Sequence, residues 1–569
     1  MVGKVDGVAT ASSELLIMVA SRSTVSILAQ VYTYITTFHV LFPVVTSLTS
    51  ILEVLWEKSL GQAVQSVLIV SVLIPILYVI VNEYIRYAAR IPGIKGPRGL
   101  PLIGNLWAIR RNAAEQYRLW SKTYGGIYQV SLGNVPIIVV NSAEAAKGLF
   151  GQHSSALSSR PEFYTFHKVL TGVATTVGTT PYSESLKKRR KVTATALNRP
   201  SAQKYVSHFD LETKVFCEEL LNEGRSGTVA FDSYPIAQRL SLSLALTVNW
   251  GIRMDSRNNE LFDEVIQVED DVSRFRSVTG NMQDYIPLLR LNPFNKSFAR
   301  AKETRRRQDG YLGELNGGLA ERMEKGSQKS CIQATIINDP DIHLNQEEIT
   351  SINLTMISGG LDTVTTAVAW LIAVLAKRPD IQRKAYQAIL EVYTSESPLC
   401  DANDDQKIPY LVALVREGLR MYTVLRLNLP RTSTKDVTYN GITFPKGTTF
   451  FLNAHACNMD ENVWEDPEVF RPERWLEQPD APLFTYGVGY RMCAGFLLSN
   501  RELYLIMLRI ISCFEIDFEG KLDIDPVRGT ADPTKLVAQP HRFKAKFIPR
   551  NEKLLRKAFD EFVPTQPTH

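Results

Sequence analysis

The sequence predicts a mainly α-helical protein with small β-sheets, built as one large domain behind an N-terminal membrane anchor. Three observations carry this. Residues 59–82 contain no charged side chain, which is enough length to span a bilayer. Most of residues 200–425 has helical character, whereas short strand-like runs recur near Val437–Phe451 and Leu536–Ile548. With 569 residues, 45% hydrophobic and 22% charged, the chain can bury a substantial core without dividing into separate domains.

From the N-terminus, residues 1–58 form a leading segment in which Ser23–Leu52 is also uncharged, though richer in serine and threonine. It is a candidate first span or an interfacial segment. The span at 59–82 is followed by Glu83, Arg86, Arg90, Lys95 and Arg98. That positive excess places the large domain on the cytosolic side. Residues 83–105 make a basic hinge in which Pro92-Gly93, Pro97, Pro101 and Gly104-Asn105 set a stiff turn. The domain proper occupies 106–550 and a tail 551–569. Within it, Tyr128–Leu132 and Pro136–Val140 flank Gly133-Asn134 and read as a hairpin.

Asn345 followed by Glu348 matches a helix cap with its reciprocal acid. Apolar residues continue to Ala376 before Lys377-Arg378-Pro379 ends the run, giving a helix of about 50 Å. Between Glu348 and Lys377 only Asp362 is charged, so a membrane span is the alternative. Paired glycines beside an acid and several threonines favour a core helix that makes room for a ligand. The formal charge of +5 is too mild for a nucleic-acid partner. Six cysteines without a C-x-x-C pair argue against a zinc site or a disulfide scaffold.

One cysteine stands apart. Cys493 lies in Tyr486-Gly487-Val488-Gly489-Tyr490-Arg491-Met492-Cys493-Ala494-Gly495, directly before the helix-like run Phe496–Ile510. Gly489 and Gly495 free the backbone for a tight turn, and a helix start offers unpaired N–H groups and a positive dipole end to a thiolate. Cys493 therefore reads as a metal ligand, the thiolate on a haem iron, with Arg491 suited to a haem propionate. A buried, inert thiol is the alternative. Upstream stand Gly359-Gly360-Leu361-Asp362-Thr363, then Glu417-Gly418-Leu419-Arg420, then Phe470-Arg471-Pro472-Glu473-Arg474-Trp475.

In this order the four stretches resemble the landmarks of the cytochrome P-450 monooxygenases, over roughly residues 92–550. The resemblance implies the cytochrome P-450 fold and haem b bound through a cysteine thiolate. It also implies electrons from NADPH through cytochrome P-450 reductase, with cytochrome b5 as a further donor, on the endoplasmic reticulum membrane. Thr363 and Asp362 become the catalytic candidates, since oxygen activation needs protons and a hydroxyl backed by a carboxylate can organise water to deliver them. Threonine bonding back to its own helix is the structural alternative.

Glu417 and Arg420 share a helix face. From spacing alone they would be a solvated pair, but the resemblance joins them to Arg474 as a buried support for the haem core. Arg431 matches a propionate-binding position, and Lys187-Lys188-Arg189-Arg190-Lys191 matches a helix that supplies another. The tryptophan common one turn earlier is replaced by Ser185-Leu186, so either Arg189 or Arg190 is the candidate. The basic run also suits docking of an acidic reductase. Tyr486 stands where phenylalanine is usual and adds a hydroxyl that needs a partner.

Several stretches resemble the fungal phenylacetate-hydroxylase group in particular: Arg160 to Lys168, Ala196 to Pro200, and Asp532-Pro533-Thr534 through Gln539-Pro540. In the first, His167 and Lys168 are candidates to meet a substrate carboxylate, against a merely structural role. Because pocket chemistry does not follow from scaffold, the preferred reading is oxidation of a small secondary metabolite, with aryl-acetate hydroxylation as the alternative. A haem-thiolate isomerase or dehydratase, or an electron-carrying haem protein, is the rival of another class; the Asp362-Thr363 pair argues against the first.

Overall fold

The computed structural model describes residues 60–171, 174–277, 280–292 and 295–561. The candidate span at Ser23–Leu52 and the rest of residues 1–58 lie outside the described residues. The chain divides into two units, Met1–Asn82 and Glu83–His569.

Helix α1 (Leu60–Ala88) carries a stretch, Val67–Ala88, long and apolar enough to cross a membrane, with 6% of that window buried. It runs past the expected end at residue 82. The reason is local: Glu83 pairs with Arg86 one turn on, and helix-favouring residues carry the backbone to the Pro92-Gly93 turn.

The larger unit is mainly helical with a small four-stranded sheet. Strands β1 (Ile127–Leu132) and β2 (Val135–Val140) form the expected hairpin, in register from Ile127 with Val140 to Leu132 with Val135. Gly133 turns with φ +55°, and a Cβ there would meet the Tyr285 carbonyl oxygen at 2.2 Å. Glycine is therefore required on both counts. Next come the helices α2 (Glu184–Ala196), α3 (Val206–Glu223), α4 (Tyr234–Trp250), α5 (Glu260–Phe275) and α6 (Lys296–Glu324).

Helix α7 (Gln346–Lys377) is the long helix the sequence predicted. Asn345 Oδ1 accepts from Glu348 N at 2.9 Å, and Glu348 Oε2 accepts from Asn345 N at 3.0 Å. Its apolar window is 78% buried, so length and hydropathy here build a core helix rather than a span. Trp370 fixes its C-terminal half by stacking on Tyr422 (ring centroids 4.2 Å apart) and donating to the Ala538 carbonyl at 2.8 Å. Helix α8 (Pro409–Met421) then leads to β3 (Arg431–Thr432), β4 (Val437–Tyr439), β5 (Ile442–Phe444) and β6 (Thr449–Leu452). The sheet order is β1-β2-β6-β3, with β2 and β6 parallel.

Helix α9 (Phe496–Cys513) comes after the cysteine loop and packs Leu503–Ile511 into the same core as Trp370–Leu375. Strand β7 (Phe514–Glu519) pairs antiparallel with β8 (Lys544–Pro549). Of the stretch near Leu536–Ile548, where short strands were expected, only the end forms one. Residues 536–540 form a loop instead, held by Ala538 N–H to the Val424 carbonyl at 2.9 Å and stopped by Pro540.

Candidate active site

A cavity of about 300 Å³ lies inside the larger unit, walled by α2, α4, α5, α7, the loops at 176–178 and 424–431, residues 536–537 and the cysteine loop. The loop is shaped by its own backbone bonds: Gly487 N–H to the Phe484 carbonyl (2.8 Å), Met492 N–H to Gly489 (2.9 Å) and Cys493 N–H to Tyr486 (2.9 Å). Gly487 and Gly489 adopt φ +75° and +67°. At Gly489 a Cβ would also lie 2.2 Å from the Phe150 carbonyl oxygen, so no other residue fits. Gly495 is different, with only Leu197 at 3.6 Å from where its Cβ would stand. Nothing in the protein itself crowds that position.

Cys493 is enclosed by protein yet presents its surface to the cavity, while Cys217, Cys331, Cys457 and Cys513 are buried and Cys400 is half-buried. Burial pushes the Cys493 thiol up, opposed by the Gly495 backbone N–H and by the Arg190 charge. The donor set is therefore one open sulfur at a helix start, beside a cation. Tyr486 finds the partner its hydroxyl needs, donating to Asn500 Oδ1 at 2.7 Å.

Four arginines meet at one corner of the cavity wall: Arg160, Arg190, Arg431 and Arg491. Arg491 donates to the backbone carbonyls of Ser158, Val177, Gly178 and Thr180. Arg160 donates to the carbonyls of Gly178, Leu429 and Pro430. Arg190 donates to the Met492 carbonyl at 3.0 Å, and Arg431 to that of Val488. Arg431 Nη1 is buried without a partner.

Burial pushes all four guanidinium groups down, and repulsion from neighbouring arginines adds to it at three, taking Arg431 and Arg491 to about 9 and Arg160 well below its ordinary value. No acidic side chain pairs with any of the four among the described residues. Buried cations in such number call for an anion from outside the chain. A haem, with two propionates, fits this corner and the open sulfur together. Arg189 takes no part in the wall; it is buried against Ser351 Oγ (2.9 Å) and the Ser185 carbonyl. The basic run thus divides, with Lys187, Lys188 and Lys191 exposed.

On the opposite wall α7 is bare. A Cβ at Gly359 would have nothing within 4 Å, and Gly360 lets Ala245 of α4 approach closely. Thr363 lines the cavity and donates from Oγ1 to the Gly359 carbonyl at 2.6 Å, the back-bonded geometry. Its oxygen keeps its acceptor capacity. Burial pushes Asp362 up to about 7, with Glu269 and Asp270 adding to the rise and Lys535 and Arg276 opposing it. Glu269 Oε1 accepts from Tyr311 (2.8 Å) and Gln308 (3.2 Å), and Oε2 from Ser358 Oγ (2.5 Å). The arrangement places titratable oxygens in series along one wall.

The support cluster assembles as one unit. Glu417 accepts from Arg420 Nε and Nη2 at 2.8 Å each, Arg474 Nε at 3.1 Å, Trp475 Nε1 at 3.0 Å and Arg471 N at 2.9 Å. Its side chain and that of Arg420 are wholly buried.

The structure turns His167 and Lys168 away from the substrate role. Both sit in a π-helical turn over Tyr164–Leu170 and neither lines the cavity. His167 Nδ1 accepts from Phe163 N at 2.9 Å, and Lys168 is exposed. Cavity residues that sequence reasoning missed are Arg160 in its polar role, Glu269, Arg276 and Glu502, the last pushed up to about 8 by burial.

Residues 94–547 match the family model described as Cytochrome P450. Among curated relatives, the chain is 61% identical to a 3-hydroxyphenylacetate 6-hydroxylase of Emericella nidulans, across 88% of this chain and 98% of the relative. It is 42% identical to a phenylacetate 2-hydroxylase of the same organism, across 84% and 95%. An echilunin cytochrome P450 monooxygenase of Aspergillus ruber matches at 29%, across 83% and 86%.

Proposed function

The chain belongs to the cytochrome P450 family, and from that premise we propose that it hydroxylates an aryl acetate on the ring carbon beside the acetate arm. It is a haem monooxygenase, an oxidoreductase whose cofactor iron is held by a cysteine thiolate and which draws electrons from a redox partner. The observation that carries the substrate proposal is the 61% identity across nearly the whole length of the 3-hydroxyphenylacetate 6-hydroxylase. Positions 6 and 2, in the names of the two Emericella nidulans hydroxylases, are both ortho to the acetate-bearing ring carbon. Oxidation of another small secondary metabolite is compatible with the 29% relative and is the second reading.

In this proposal Cys493 is the ligand to iron, and Arg160, Arg190, Arg431 and Arg491 hold the propionates. When bound, the haem supplies thiolate-assisted activation of dioxygen. Leu244, Val248 and Val272 with Leu536 and Val537 give the aryl ring an apolar wall and keep bulk water out. Asp362, poised to gain and lose a proton near neutral pH, passes protons to a water held at the Thr363 hydroxyl. Glu417, Arg420 and Arg474 keep α8 fixed beneath the cysteine loop. Arg189 serves as packing for α2 against α7.

The partner proposed is NADPH–cytochrome P450 reductase, with cytochrome b5 as an auxiliary donor. The exposed lysines of α2 offer it a cationic surface. We assign the chain to the endoplasmic reticulum with residues 106–550 as the cytosolic catalytic domain, on the strength of the apolar Val67–Ala88 window and the basic residues that come after Asn82.

The test is turnover of phenylacetate and 3-hydroxyphenylacetate by the full chain with reductase, NADPH and ¹⁸O-labelled dioxygen. A ring-hydroxylated product carrying one labelled oxygen is expected. Absence of turnover of either acid, by protein that oxidises another small molecule, would overturn the substrate assignment and leave the monooxygenase standing.

A further inference from the structure

Resting on the aryl-acetate reading, we propose that Arg276, with Ser273 one turn before it, is the carboxylate anchor of the substrate site and determines selectivity for acids over their neutral analogues. Arg276 comes directly after the last turn of α5 and lines the cavity. Its Nε is buried without a hydrogen-bond partner, and no ion pair reaches its guanidinium among the described residues. The guanidinium lies instead near the Phe166 ring, 5.8 Å from the centroid. Ser273 Oγ, also on the cavity wall, is likewise buried and unpartnered. Buried polar groups left unsatisfied by the protein are the exception, and here two of them sit three residues apart on one helix face.

The nearby acids do not supply the missing counterion. Both oxygens of Glu269 are already held by Tyr311, Gln308 and Ser358. Asp362 forms no ion pair with Arg276, and its carboxyl is half neutral near pH 7. Those two acids nonetheless favour the charged form of Arg276 against its burial. The result is a charged, forked donor facing open space, and a carboxylate matches it in charge and in bidentate geometry. Arg276 also repels Arg160, as the weakest of that residue's cationic neighbours. The charges that act on Arg276 itself are the acids of α5 and α7, Glu269 and Asp362.

The acetate arm of an aryl acetate reaches such an anchor while the ring occupies the apolar wall of Leu244, Val272 and Val537. A neutral analogue would leave the guanidinium unpaired, which is the strongest way a pocket rejects a near-isostere.

The experiment is a spectral titration of the purified haem-loaded full chain with phenylacetate and with methyl phenylacetate. Wild type should bind the acid at least about tenfold more tightly than the ester. Arg276→Met should weaken the acid about thirtyfold or more and leave the ester within about twofold. Arg276→Lys, which keeps the charge and loses the fork, should fall between. The carbon monoxide spectrum of each variant reports folding, and Arg276→Gln takes the place of the methionine variant if that fails to load haem.

Acid binding by Arg276→Met within about threefold of wild type would overturn the anchor and leave the aryl-acetate reading intact. Equal weakening of acid and ester would also overturn it, reducing Arg276 to a shape role. Failure of wild type to bind any aryl acetate would overturn the substrate reading, and the anchor with it.

Discussion

Replacing Asp362 by asparagine removes the titration while keeping the shape of the side chain. In the folded protein the Asp362 carboxyl rises from 3.8 to about 7, chiefly through burial, with Glu269 and Asp270 adding to the rise against Lys535 and Arg276. That displacement corresponds to about 4 kcal/mol of bias toward the neutral acid. One pH unit either side of the midpoint changes the acid from roughly 90% to roughly 10% of the population. If the neutral acid hands its proton to water at Thr363, product formed per NADPH consumed should fall as pH rises from 6 to 8, with its half-point near 7.

The Asp362→Asn variant should form product about a hundredfold more slowly, in line with loss of one proton-transfer group, and its coupling should be flat over the same range. Stability offers an independent check of the same shift. A carboxyl whose folded value lies above its unfolded one contributes stability that is present below about pH 4 and lost as pH rises through 7. The asparagine side chain does not ionise, so the variant should gain thermal stability relative to wild type at pH 8 and lose that advantage toward pH 5. A variant that keeps the wild-type coupling profile would refute the relay.

Thr363→Ala should uncouple NADPH use from product while leaving substrate affinity within about twofold; unchanged coupling would leave Thr363 with only its bond to the Gly359 carbonyl. Cys493→Ser should abolish the thiolate-type Soret band of the reduced carbon monoxide complex, and a retained band would exclude Cys493 as the ligand. Glu417→Gln leaves the buried Arg420 and Arg474 without their carboxylate, a loss of about 3–5 kcal/mol. It should show as poor haem retention and faster proteolysis, and a variant that holds haem as wild type does would separate this cluster from the haem core.

Legibility followed the range of the interactions. Helix α7 was readable at both ends because its capping box and its terminal proline are local signals. The hairpin of β1 and β2 was readable for the same reason. Strand β7 was missed although Phe514-Glu515-Ile516-Asp517-Phe518-Glu519 alternates at period two, because it abuts α9 without a turn residue. Glu417 and Arg420 were visible as an i, i+3 pair, but Arg474 joins them from another segment, and only the resemblance to a known family linked the three. Arg189 and Arg190 are adjacent in sequence and separate in space because successive helical positions point about 100° apart. Arg276 had no signal at all. A lone arginine at a helix end is ordinarily solvated, and its isolation becomes visible only once α5, α7 and the 536–537 loop enclose it.

The five cationic residues of the cavity wall then constrain how the site can be filled. Arg160, Arg431 and Arg491 are each depressed by arginine neighbours, Arg190 among them, so the first anion to enter gains most by binding at this corner. A monoanionic acid offered before the cofactor would be drawn to that corner rather than to Arg276. Two propionates occupy the donors of the corner and offset about half of its positive charge, which weakens the competition. Among the described wall residues this leaves Arg276 as the cation without a partner, on the side of the cavity where Asp362 and Thr363 stand. Acid selectivity is therefore a property of the haem-loaded protein. The same charge arrangement that retains the cofactor directs the substrate carboxylate to the other end of the cavity.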